Sequence, residues 1–252
     1  MPGTLSLVSE RVIERSYPPL DDPQRGRRKL PRAVRERQML EVAGRVFAAH
    51  GFHEASMDEI ARDAGISKPM IYNYFGSKEG LYFAYIELAG QRLLSRMAEA
   101  ARAVDDSDEI DAERRLRASA LAFFAHVDER REEWAVLFAE LAARGGPFFQ
   151  EVAAVRRSII DQTAQLFDVV LRRAGLSPEQ VGGTEPLACA FVGAGESLAN
   201  WWLQHPEETK AAMANRLIDV GWGGLNHLLA APSGPKPEDR PALAPVPDRP
   251  SK

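Results

Sequence analysis

Apolar side chains recur every three or four residues through most of the chain, as they do along one face of an α-helix. The first such stripe consists of Met39, Leu40, Ala43, Val46 and Phe47. It predicts a helix that ends near His50 and Gly51, where glycine suits a left-handed cap. A second helix should begin at Ser56, because Ser56 followed by Glu59 forms a capping box. Gly65 ends this second helix.

A third, short helix is predicted to begin at Ser67, with Pro69 in its first turn, where the missing amide proton costs no hydrogen bond. Ile71 and Phe75 are four residues apart and face inward. A turn at Gly76 and Ser77 then leads into a fourth helix at about 78–103. Residues 56–75 thus have the dimensions of a helix-turn-helix, which places its second helix in the major groove of DNA.

The rest of the chain predicts further helices at about 112–127, 130–144, 147–174, 185–204 and 207–230. Alternation of apolar and polar residues is almost absent, so we predict an all-α fold. In this fold an N-terminal three-helix DNA-binding unit joins a larger helical body for ligand binding and dimerisation.

The ends of the chain differ from its middle. Residues 1–31 are polar and rich in proline, which predicts a mobile arm with a basic cluster. Residues 232–252 hold seven of the seventeen prolines and are predicted to be a disordered tail. Between them we place the helix-turn-helix domain at 32–80 and the helical body at 81–231.

Charge is distributed unevenly along the chain. Residues 25–80 hold eleven Lys and Arg against seven Asp and Glu, a net charge of +4, whereas the whole chain carries −4. The remainder therefore carries −8. Segregation of this kind indicates that the basic segment meets nucleic acid.

The composition excludes several classes of protein. The single cysteine, Cys189, excludes a disulfide framework and favours a cytoplasmic location. No apolar run is long enough to span a membrane, and residues 1–30 lack the apolar core of a signal peptide. We expect no cofactor and no metal site.

The sequence from Ser56 to Leu81 closely resembles the DNA-binding signature of TetR-family transcriptional regulators. The matching features are an Ile-Ala pair, an Ala-Gly-aliphatic-Ser turn, a Tyr-x-Tyr-Phe ending and a Lys-Glu-x-Leu helix start. The resemblance covers about residues 34–85. Pro69 and Met70 depart from the glycine and small residue common in the family, so the bases that are contacted stay open.

The resemblance implies a set of DNA contacts. The residues expected to contact base edges are Lys68, Pro69, Met70, Tyr72 and Asn73. Those expected to contact phosphates are Ser56, Tyr74 and Lys78. We expect a basic arm to reach the backbone or the minor groove, through Arg25, Arg27, Arg28, Lys29 and Arg32. Two plainer interpretations are that the tyrosines are half-buried aromatics and that the arginines are simply solvated.

A single helix-turn-helix contacts few bases, so we expect a homodimer on a palindromic operator of double-stranded DNA. The last two helices are apolar on more than one face, which predicts a four-helix interface between two copies. The residues expected there are Phe191, Leu198, Trp202, Leu217, Val220 and Leu228.

Aromatic residues concentrate in the central helices, where they predict a cavity for a small hydrophobic effector. Its expected lining is Phe123, His126, Trp134, Phe138, Phe149, Arg156, Gln162 and Phe167. Ordinary core packing is the alternative for each of them. Effector binding would favour a dimer with wrongly spaced recognition helices and release the DNA, as in a repressor.

Two other functions are alternatives to that of a regulator. A helical adaptor would use the basic unit to dock an acidic protein partner. A hydrolase would need a nucleophile elbow, which Gly195-Glu196-Ser197-Leu198-Ala199 resembles, but that motif needs a preceding strand and a final glycine. We therefore expect no enzymatic activity. Salt-dependent, sequence-selective binding of a palindromic duplex would distinguish a regulator from both.

Overall fold

The computed structural model describes residues 31–104, 111–142 and 148–230. Within these ranges the chain forms nine α-helices, one short 3-10 helix (Pro178–Val181) and no strand, which confirms the predicted all-α fold. The helices are α1 (Arg32–Glu54), α2 (Met57–Asp63), α3 (Lys68–Phe75), α4 (Lys78–Arg102), α5 (Ala112–Glu129), α6 (Arg131–Ala142), α7 (Phe149–Arg173), α8 (Thr184–Trp202) and α9 (Lys210–Ala230).

Helix ends in the N-terminal unit follow the local signals. Gly51 interrupts α1 with φ 70°, a backbone angle that favours glycine. The Ser56 hydroxyl accepts a hydrogen bond from the Glu59 amide at 3.4 Å, which caps α2. The Ser77 hydroxyl accepts from the Gly80 amide at 3.0 Å and caps α4 in the same way.

α1 to α4 enclose a small apolar core. The side chains of Leu40, Ile60, Ile71 and Leu81, one from each of the four helices, are fully buried. α1 and α4 also meet closely at Gly44. A Cβ atom at this position would lie 2.3 Å from the Tyr85 ring, so glycine is required for the contact.

The core of the N-terminal unit continues into the body. Phe148, which precedes α7, packs edge-on against Phe52 at 4.9 Å and Tyr82 at 4.6 Å between ring centroids. Val136 and Leu137 of α6 belong to the same buried cluster. The recognition unit and the body therefore share side-chain contacts as well as α4.

A second core lies in the body between α4, α5, α7, α8 and α9. Phe124, Leu171, Met213 and Ile218 are fully buried in it. α5 packs extensively against both α4 and α9, so it joins the last helix of the body to the helix that leads out of the N-terminal unit.

Candidate DNA interface and ligand cavity

The recognition helix α3 divides its side chains between the core and the surface. Ile71 is buried, whereas Tyr72 is 40% exposed and Pro69 and Asn73 are also exposed. Met70 lies half-buried at the edge of this face. The structure thus brings the predicted base-contacting residues together on one accessible face of a short helix.

The two lysines predicted to contact DNA already have partners within the N-terminal unit. The Lys68 ammonium lies 2.9 Å from the Asp58 carboxylate, and this hydrogen bond raises the pKa of Lys68. The Lys78 ammonium donates to the His53 carbonyl oxygen at 2.8 Å and lies 5.1 Å from the centre of the Phe52 ring. Lys78 thus ties the start of α4 to the end of α1.

Two arginines of α1 lie beside the recognition helix. The Arg32 guanidinium lies 4.9 Å from the centre of the Tyr74 ring. An Nη of Arg35 lies 3.9 Å from the Met70 sulfur. Sequence reasoning did not single out Arg35, although its position one turn after Arg32 was a signal. The other arm residues, Arg25, Arg27, Arg28 and Lys29, lie outside the described residues.

The body contains a cavity of about 340 Å³, lined mainly by α4, α5, α7 and α8, with one residue each from α6 and α9. Of the predicted lining residues, Phe123, Trp134 and Gln162 contact it. The sequence did not indicate the aliphatic lining, which includes Leu93, Met97, Leu116, Ile159, Leu166 and Val192. Arg102, at the end of α4, and Arg115, near the start of α5, are the two arginines of the lining.

Two hydroxyl groups of the cavity wall already have partners. The Ser119 hydroxyl donates to the Met97 carbonyl oxygen at 3.4 Å, and the Thr163 hydroxyl donates to the Ile159 carbonyl oxygen at 2.9 Å. Because both protons are used within the protein, these hydroxyls can only accept hydrogen bonds from a ligand.

Five residues predicted to line this cavity lie elsewhere, which corrects that part of the expectation. They are His126, Phe138, Phe149, Arg156 and Phe167. Phe138 stacks on Trp134 from outside the lining. Arg156 donates to the Glu196 carboxylate at 2.8 Å, so it orients a lining residue without contacting the cavity itself.

His126 belongs instead to a buried ionic cluster where α1, α4, α5 and α6 meet. Arg92 of α4 bonds both Glu41 of α1 and Glu133 of α6, and Arg130 lies 3.3 Å from each carboxylate. Burial, with help from nearby arginines, lowers the pKa of His126 to about 4. Burial also raises the pKa of Glu133, although Arg92 opposes this shift.

Several residues predicted for the dimer interface are used within the chain. Trp202 is buried edge-on against Phe124, and its indole nitrogen donates to the Glu208 carbonyl oxygen at 2.8 Å. Leu217 is buried at the cavity. Neither side chain is available to a partner, and this corrects the expectation for both.

The other predicted interface residues have varied positions. Phe191 lines the cavity and packs against Gly221 of α9, where a Cβ would lie 2.3 Å from its ring. Leu198 is half-buried, and Val220 is 74% exposed. Leu228 lies outside the residues whose side chains the structure describes.

The described residues contain no cluster of three or more His, Cys, Asp or Glu suited to a metal ion. None of their helices is long and apolar enough to cross a membrane. An accessible recognition helix on a small helical unit, joined to a larger body with an apolar cavity, defines a DNA-binding transcriptional regulator.

Comparison with known proteins identifies the family. Residues 39–85 match the model of bacterial regulatory proteins of the tetR family, and residues 112–224 match the tetracyclin repressor-like C-terminal domain. FasR of Mycolicibacterium smegmatis, an HTH-type transcriptional activator, is 30% identical over 225 residues, which are 89% of this chain and 96% of FasR. The chain belongs to the TetR family, as its signature indicated, and it is a regulator, not an enzyme.

Solved structures agree on the fold. A TetR-like transcriptional regulator from Rhodococcus sp. RHA1 is 36% identical, with a TM-score of 0.65 over 79% of this chain and 99% of that one. FadR from Bacillus subtilis, determined in complex with stearoyl-CoA, is 19% identical, with a TM-score of 0.57 over 75% of this chain and 98% of FadR.

Proposed function

We propose that the protein is a homodimeric repressor that binds a palindromic operator and releases it when a small hydrophobic effector fills the body cavity. One observation carries this proposal: α4 begins beside the recognition helix, and its second half lines the cavity. A ligand that moves α4 therefore acts on the spacing of two recognition helices. Because its target is bacterial chromosomal DNA, the protein would act in the cytoplasm.

The proposed dimer uses the exposed face of α8 and α9. On α8, Ala190, Ala194, Ser197 and Trp201 are exposed and fall on one face at helical spacing. Val220 is exposed on α9, and Gly223 and Gly224, about one turn later, are exposed as well. Small residues let helices approach closely, and the large Trp201 side chain gives a dimer apolar area to bury.

The cavity favours an effector with a long apolar part and an anionic end. Its wall is mostly aliphatic and aromatic, and its volume of about 340 Å³ lies within the range of ligand sites. Arg102 belongs to the lining, and its guanidinium suits an anionic group. FadR, which shares this fold, binds stearoyl-CoA, so we propose a long-chain acyl thioester as the effector class.

The ionic cluster supports a route from the cavity to the DNA-binding unit. Leu93 and Trp134 line the cavity, and the residues directly before them, Arg92 and Glu133, are bonded to each other. Arg92 also holds Glu41 of α1. A displacement of α4 or α6 at the cavity would thus change contacts of α1.

Repression needs only operator occupancy, which a helix-turn-helix dimer supplies. FasR, however, is named an activator. Transcription in vitro from a promoter that carries the bound site separates the two. We expect the protein to lower transcript yield and stearoyl-CoA to restore it, whereas a higher yield with added protein would make it an activator.

Binding selection on genomic fragments tests the operator. We expect enrichment of a palindromic site, with loss of base preference in Asn73→Ala at a cost of about 1–3 kcal/mol at the contacted base. Glu185→Gln, an exposed change on α8, is the control and should select the same site. Enrichment of no common sequence would reject operator recognition.

A further inference from the structure

Cations on the recognition side of the N-terminal unit differ in whether a carboxylate already neutralises them. Lys68 is paired with Asp58 at 2.9 Å. Arg62 lies 3.2 Å from Asp63 and 3.9 Å from Glu59. A paired cation must leave its carboxylate, or bring that negative charge along, when it meets a phosphate. α2 and α3 therefore offer DNA little net positive charge.

The first turn of α1 has the charge that α2 and α3 lack. It contains no acidic residue. Within the described part of the chain, the contacts of Arg32 and Arg35 are to Tyr74 and Met70, and neither guanidinium forms an ion pair. The two arginines are three residues apart on α1, and their partners are four apart on α3, so the two side chains reach the recognition helix about one turn apart.

We propose that Arg35 contacts DNA by binding a backbone phosphate beside the base-contacting face of α3. Arg32 binds a neighbouring phosphate. This assignment rests on the proposed operator binding. Phosphate contacts fix the position and orientation of a recognition helix in the groove, and an arginine beside that helix can supply them. The thioether of Met70 is a weak acceptor, so it leaves the donors of the Arg35 guanidinium for the two oxygens of a phosphate.

A purely structural role for Arg35 makes a different prediction. Arg35 touches Met70, which is itself a candidate base contact. If Arg35 only held Met70 in place, its loss would alter which bases are preferred. A phosphate contact carries no sequence information, so its loss weakens binding to every duplex and lowers the salt dependence.

The test is Arg35→Gln, with Arg45→Gln as the matched control. Both remove one positive charge from α1, but Arg45 is exposed in a crevice lined by Glu129 and Glu132 of the body. Binding to a labelled duplex of arbitrary sequence is measured by fluorescence anisotropy at roughly 50–200 mM salt.

We expect Arg35→Gln to raise Kd roughly three- to tenfold and to reduce the slope of log K against log salt by about 0.9, the value for one phosphate. Arg35→Lys should keep most of the slope, because it keeps the charge. Arg45→Gln should leave the slope unchanged.

Three outcomes would overturn the assignment. One is an unchanged slope in Arg35→Gln. Another is an equal loss of slope in Arg45→Gln, which would make the effect one of overall charge. The third is altered base preference in selection from a random pool, with the slope intact. If the wild-type protein shows no salt-dependent binding, operator binding itself fails, independently of any variant.

Discussion

At the scale of single residues, a basic side chain can bind DNA more readily when no carboxylate of the protein is paired with it. Lys68 begins the recognition helix, yet its ammonium is held by Asp58. Asp58 itself is 76% exposed and would carry a negative charge close to the DNA backbone. Its effect on binding is therefore opposite to that of the lysine it holds.

Asp58→Asn should strengthen DNA binding. The change frees the Lys68 ammonium and removes a repulsive charge, so Kd for an arbitrary duplex should fall roughly three- to tenfold at low salt. The cost to folding should be only about 0.3–1 kcal/mol, because Asp58 lies at the N-terminus of α2, where a negative charge is favourable. Anisotropy titration measures the first effect and urea unfolding the second. Asp161→Asn, an exposed change on α7, should alter neither.

His126 should make stability depend on pH. Its pKa in the folded protein is about 4, below the ordinary 6.5, so the folded protein resists protonation that the unfolded chain accepts. Stability is then full above pH 6.5 and is lost as pH falls from about 6.5 towards 4. We expect a loss of about 2 kcal/mol between about pH 7 and 5.

Urea unfolding over this pH range checks the prediction. His126→Gln cannot gain this charge, so its unfolding free energy should fall less than that of the wild-type protein. His53→Gln, a change at an exposed histidine, should follow the wild-type curve. Parallel curves for His126→Gln and the wild-type protein would contradict the assignment.

At the scale of helices, α4 and α6 connect the two cores. α6 places Trp134 at the cavity and Val136 in the core of the N-terminal unit. α4 similarly places Leu93 at the cavity and Arg92 against α1. The same two helices therefore line the cavity and hold the DNA-binding unit.

Glu41→Gln should loosen this connection. The variant removes one of two carboxylates around the largely buried Arg92, so we expect about 1–3 kcal/mol lower unfolding free energy. It should also reduce the change in operator Kd caused by stearoyl-CoA. Glu113→Gln breaks an exposed pair with Arg117 and should cost under about 1 kcal/mol without altering the response. Equal effects of the two variants would argue against the role of the cluster.

At the scale of the whole molecule, charge is distributed unevenly along the chain. The segment that meets DNA carries +4 and the remainder −8. An acidic body repels phosphate, so it should restrict DNA binding to the one basic face. The exposed apolar side chains Trp201 and Val220 lie on α8 and α9, away from the recognition helix in the chain.

Trp201→Asp should prevent dimer formation. It places a charge on the face proposed to be buried between two copies, and sedimentation at micromolar concentration should change from dimer to monomer. Leu121→Asp is a matched control, because Leu121 on α5 is also 43% exposed. A dimer in both variants would place the interface elsewhere.

The sequence by itself determined the helices, the helix-turn-helix and the family. These features depend on local signals, such as the apolar spacing, the cap at Ser56, and the signature that ends in Tyr74 and Phe75. Local signals act over a few residues, so one sequence contains them in full.

Only the tertiary structure decided which side chains remain available to a ligand. The Lys68–Asp58 pair, the contact of Arg35 with Met70 and the burial of Trp202 join helices that are separate along the chain. Such contacts depend on how whole helices pack, and the apolar period that predicts each helix leaves their mutual placement unspecified. The cavity lining comes from six helices, α4 to α9, so no single stretch of the sequence indicated it.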